Sequence, residues 1–129
     1  MKKSLVILST FAIAVICSSS TLITTEKNNN LTDAQPKKVV FAKADIAKGK
    51  ALLPKSDCLA CHKVDAKIVG PAYNDVALKY KDTEENVKYL AGKIIKGGAG
   101  VWGQVPMSPH PTLTVADARN MAKYILSLK

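Results

Sequence analysis

Cys58, Cys61 and His62 are the residues best suited to do chemistry. They stand together in Cys58-Leu59-Ala60-Cys61-His62, a C-x-x-C-H run. Two thiols three positions apart lie about one helical turn apart, so each can add to one vinyl group of a single porphyrin. The adjacent histidine then stands over the metal. One imidazole nitrogen ligates iron, and the other N–H needs a backbone acceptor. The spacing therefore points to a covalently attached haem c. Three other chemistries use the same residue types. A thioredoxin-type dithiol belongs in a βαβ setting, and no such pattern is visible. Zinc wants four ligands. Beyond the first twenty residues the chain offers only two cysteines and two histidines, and one of these, His110, lies in a proline-rich loop. A disulfide would give His62 no part.

A haem held from one side raises the question of a second axial ligand. Met107 lies in Val105-Pro106-Met107-Ser108-Pro109, where flanking prolines stiffen the chain. A thioether on such a loop can be held over the far haem face without relying on helix packing. The alternative is that Met107 only packs in the crevice and leaves iron five-coordinate. Met121 falls in the apolar stripe of a helix and reads as core. His110, between Pro109 and Pro111, reads as a partly exposed loop residue.

Four short helices are expected to position these groups. The first spans Ala44 to Leu53, with Ile46, Ala47 and Leu53 near helical spacing and Pro54 as a stop. Gly49 inside it costs stability and marks a close crossing with another element. The second runs from Asn74 to Tyr80. The third is the clearest. Thr83 can cap it, Glu84 and Glu85 suit its first turn, and Gly97-Gly98 end it. Its Val87, Leu90, Ala91, Ile94 and Ile95 form one apolar face. The last starts at Thr114, with Asp117 three residues on, and buries Ala118, Met121, Ala122, Ile125 and Leu128. No alternating strand and no repeat is apparent. Between the last two helices, GGAGVWGQVPMSPHPTL is too rich in glycine and proline for helix and reads as a long functional loop.

The N-terminal segment reads as an address. Met1-Lys2-Lys3 precedes an apolar run from Leu5 to Ile16 and then Cys17-Ser18-Ser19-Ser20. This is the layout of a secretory signal over residues 1–20. Cleavage would release a soluble protein, lipidation of Cys17 would tether it, and retention would anchor it. Each fate puts the remainder outside the cytoplasm. Residues 21–42 read as a flexible polar linker, and 43–129 as the folded domain.

Length and charge agree with this reading. A chain of 129 residues excludes a multidomain enzyme and a polytopic membrane protein. Its net charge is +9, or +7 without residues 1–20, which carry Lys2 and Lys3 and no acid. Lys55, Lys63, Lys67, Lys93 and Lys96 cluster in sequence around the haem-binding segments. If they rim the exposed haem edge, they would steer an acidic partner to it. The basic residues are otherwise spread along the chain without a nucleic-acid motif, so nucleic-acid binding is not expected. Aromatics make up only 5% of the residues. A porphyrin would then supply the largest apolar group of the core.

The runs CLACHKVDAKIVGPAYNDVALKY and IIKGGAGVWGQVPM and the terminal helix resemble the bacterial class I cytochromes c, of the small c-551/c-552 type, over about Asp45 to Lys129. The resemblance implies an all-α fold of four to five short helices wrapped around one haem c. It implies covalent attachment through Cys58 and Cys61, with His62 as proximal and Met107 as distal iron ligand. Pro71 matches the proline whose carbonyl accepts the proximal His N–H, and Trp102 the indole that hydrogen-bonds a haem propionate. Lys93 falls where relatives often have Arg, so a bidentate propionate contact becomes a single-point one. His110 falls where relatives often carry Asn near the Met sulfur.

The implied function is one-electron transfer in a bacterial respiratory chain, not enzymatic catalysis. The protein would act as a monomer, with acidic-faced redox proteins as partners, and would touch the membrane only if its N-terminal segment were lipidated or retained. Two other functions use the same attachment: a haem sensor whose Met107 dissociates to admit a small ligand, and a redox domain tethered to one membrane complex.

Overall fold

The computed structural model describes residues 37–129. The expected signal at 1–20 and most of the expected linker lie outside the described residues. Residues 37–42, the end of that linker, run without regular structure. Val39 N–H donates to the Asp82 carbonyl at 2.6 Å, and Phe41 packs against the core.

Four helices follow, all close to their expected places. Helix α1 spans Lys43–Leu52, α2 Tyr73–Lys79, α3 Glu84–Lys96 and α4 Val115–Leu126. The caps explain the boundaries. Thr83 Oγ1 accepts from the Asn86 amide at the start of α3, and Thr114 Oγ1 accepts from the Asp117 amide at the start of α4. Lys48 of α1 and the Thr114 hydroxyl hydrogen-bond the Asp117 carboxylate and hold its pKa below the usual carboxylate range. Helix α3 ends at Gly97, whose φ of 67° is left-handed. A Cβ there would also run into the Met107 carbonyl.

The core is where the stripes meet. Helix α4 packs against α1, α2 and α3. Val87, Leu90, Ala91 and Ile94 of α3 face Ala118, Met121, Ala122 and Ile125 of α4, all buried. Burial of one such large side chain stabilises by about 1.5–3 kcal/mol. Met121 is fully buried, which agrees with a core role for it. Gly49 is the close crossing expected of it, since a Cβ there would run into the Asn120 carbonyl of α4. The helix that contains Gly49 can therefore lie directly on the α4 backbone.

The glycine-rich segment departs from expectation. It contains two short strands, β1 (Gly98–Gly100) and β2 (Gly103–Met107), paired antiparallel with Gly100 opposite Gly103 and Gly98 opposite Met107. Val101 and Trp102 form the tip of this hairpin. Alternation could not reveal these strands, because three of their residues are glycine and neither face is buried in the protein core. Left-handed backbone at Gly98, Gly100 and Gly103 lets the ribbon turn this tightly.

Candidate functional site

One crevice gathers almost every residue singled out by the sequence. It has a volume of about 560 Å³, and its walls include Cys58, Cys61, His62, Pro71, Lys93, Trp102 and Met107. The cysteines come from two linked tight turns. Leu53–Lys55 and Cys58–Ala60 are both 3-10 turns, and the second is preceded by Asp57, whose φ of 50° is left-handed. This is an uncommon conformation for a residue other than glycine. The His62 amide donates to the Cys58 carbonyl at 3.0 Å, which folds the histidine back beside the first cysteine. Both thiols are free, Cys58 buried and Cys61 exposed. Burial and the nearby Asp57 carboxylate push the Cys58 thiol pKa up, so it stays protonated.

His62 is fixed on three sides. Its Nδ1 lies 2.8 Å from the Pro71 carbonyl. An N–H at Nδ1 leaves Nε2 with a free lone pair. Tyr73 stacks on the ring, with centroids 5.3 Å apart and planes 13° apart. Gly70 covers the ring with no side chain, since a Cβ there would lie 2.8 Å from Nδ1 and from Nε2. Neither contact is legible in the sequence: the expected second helix starts at Asn74, one residue after the buried Tyr73.

The hairpin also lines the crevice. β2 ends at Met107, half-buried against the core. Trp102 at the tip is 40% exposed, and the Lys79 ammonium lies 5.2 Å from its ring. Lys93 reaches over the Tyr89 ring at 5.6 Å. Tyr80 and Tyr89 line the crevice with their rings 5.6 Å apart. Burial and the Tyr89 hydroxyl push the Tyr80 pKa up to about 12, so it stays neutral. Of the five lysines expected around the site, Lys67 and Lys93 line the crevice, Lys96 borders an adjoining groove on α3, and Lys55 and Lys63 are exposed near the cysteines.

The donor set fits a haem. Two free thiols flank one imidazole whose Nδ1 is already committed. The Met107 thioether lines the same crevice, and much of the remaining lining is apolar, including Ile68, Val69, Val101, Val105 and Ile125. The sequence model of the family described as Cytochrome c matches residues 46–129. The chain belongs to the cytochrome c family. Cytochrome c-552 of Nitrosomonas europaea is 50% identical over 88 residues, covering 68% of this chain and 80% of the relative. Cytochrome c-552 of Hydrogenobacter thermophilus is 52% identical over 91 residues, covering 70% and 86%. The crystal structure of wild-type Nitrosomonas europaea cytochrome c552 superposes with a TM-score of 0.58, covering 62% of this chain and 99% of that one. This cytochrome c is thus a small class I member that carries one haem c through Cys58 and Cys61. It transfers electrons and is not an enzyme.

Proposed function

We propose that His62 and Met107 are the two axial ligands of the haem iron, and that the protein shuttles single electrons between redox proteins outside the cytoplasm. The observation that carries the ligand reading is the Pro71 contact. It commits Nδ1 of His62 and leaves Nε2 for the metal, and Met107 lines the same crevice. When bound, the haem supplies the Fe(III)/Fe(II) couple. The chain tunes it. A thioether ligand favours the reduced state over what a second imidazole would give. The apolar lining acts in the same direction, because it disfavours the extra ferric charge. Gly70, Tyr73 and Pro71 hold the imidazole in one orientation, so little has to move on electron transfer. Trp102 and Lys93 are read as the propionate contacts. The oxidised holoprotein is expected to show the weak long-wavelength band of thioether-bound ferric haem. Its absence, together with rapid carbon monoxide binding to the reduced protein, would overturn the ligand reading and favour a sensor.

Residues 1–20 are read as an export signal, 21–42 as a linker and 43–129 as the cytochrome domain, acting as a monomer, with Cys17 as the position for a lipid tether. The partner is read as a redox protein with an acidic docking face. Support comes from the ammonium groups around the crevice, Lys67 and Lys93 in its wall and Lys79 beside Trp102. Lys79 was not among the lysines the sequence singled out. Electron-transfer contacts are small and transient, so charge acts mainly on the association rate. Electron exchange with the partner should slow several-fold as salt rises from about 10 mM to about 150 mM, where the Debye length has shrunk to about 8 Å. Stopped-flow rates that stay flat over that range would remove the steering role.

A further inference from the structure

His110 joins two parts of the crevice that are far apart in sequence. Its Nε2 lies 2.9 Å from Asp57 Oδ1, on the residue just before Cys58. Its Nδ1 lies 3.2 Å from the Ile94 carbonyl, in the last turn of α3. Its backbone amide donates to the Ile94 and Ile95 carbonyls at 3.3 and 3.1 Å. The ring therefore ties the segment that follows Met107 both to α3 and to the turn that bears the first cysteine. Pro109 and Pro111 flank it, so little of the contact can be lost to local backbone motion.

Both ring nitrogens face acceptors, a carbonyl and a carboxylate. A neutral imidazole has one N–H and can satisfy only one of them. The ring that carries both protons satisfies both, and it also sits at the negative end of the α3 dipole. The charged groups around it are Asp57 on the cysteine side, and Lys93 and Lys96 in the last turn of α3. Its own segment, 106–113, carries no other charge.

We propose that His110 is a positioning residue, a clasp between the methionine segment and the cysteine turn that sets how readily Met107 swings away from the iron. This rests on the reading of Met107 as the distal ligand. The clasp acts through the ring contacts to Asp57 and Ile94 and the backbone contacts to Ile94 and Ile95, which together hold the segment that carries Met107.

The test uses carbon monoxide binding to the reduced holoprotein, because this probe must replace Met107. The wild type, His110→Ala and Asp57→Asn are compared at one fixed pH. Asp57 has an 82% exposed side chain, so its variant keeps the fold even if His110→Ala does not. Binding should be about tenfold faster in His110→Ala, which removes a charge-assisted contact. It should be roughly two- to five-fold faster in Asp57→Asn, which weakens a partly exposed pair. Equal rates in all three proteins would overturn the clasp. If the wild type lacks the thioether band, the ligand reading has failed instead.

Discussion

Met107→Ala should lower the reduction potential by something on the order of 0.1–0.2 V, within the roughly 0.8 V range that axial ligation spans. The sign follows from ligand chemistry. The thioether stabilises the reduced iron relative to the oxidised one, so its removal makes reduction harder. The same change should abolish the long-wavelength band and open the distal side to carbon monoxide. The fold should survive, because Met107 is only half-buried and sits at the end of β2, outside the α3–α4 core. Potentiometry and optical spectra on one preparation check all of this. Met121→Leu is the control: Met121 is fully buried in the core and borders the same crevice, and the swap roughly conserves volume, so the long-wavelength band should remain. A Met107→Ala protein with unchanged potential and spectrum would show that the ligand lies elsewhere.

Gly70→Ala should damage the opposite side of the same centre. The added methyl would meet the His62 ring, which cannot retreat, because Tyr73 stacks on it and Pro71 holds Nδ1. Either the ring shifts and loses the Pro71 contact, or the 68–71 backbone moves. Overpacking of this kind costs about 1–3 kcal/mol, and a lost hydrogen bond adds about 1 kcal/mol. For a domain of this size the melting midpoint should fall by roughly 5–20 °C. The yield of haem-loaded protein should fall with it. Gly92→Ala makes the comparison clean. Gly92 lies within α3 with nothing near enough to meet a Cβ, so alanine there should be neutral or stabilising by about 0.5–1 kcal/mol. Equal melting points for the two variants would dismiss the steric account of Gly70.

Much of the architecture was legible because it rests on short-range rules. The α3 stripe, the Thr83 and Thr114 caps and the stop at Gly97 are local signals, and all appear where expected. Gly49 was legible because a glycine inside a helix needs a reason, and Asn120 supplies it. The attachment motif was legible because its chemistry depends on sequence spacing alone. The hairpin was not. Its strands are held by pairing between glycine-rich segments, and pairing leaves no periodic trace in side chains. Tyr73 and Gly70 were missed because their value lies in the space around His62. The His110–Asp57 contact was missed for a similar reason. It joins residues whose separation along the chain hides them from any window-based reading.

The contact between Gly49 and Asn120 has a consequence for the order of assembly. Helix α1 emerges before α4 from any machine that feeds the chain N-terminus first. The apolar side of α1 can therefore find its partner only once α4 has followed. Pairing between elements so far apart in sequence carries a large loop-closure cost and comes late. Until then, the segment from Cys58 to His62 is not enclosed by the finished fold. Topology thus lets a haem meet the cysteines before α1 and α4 have packed together.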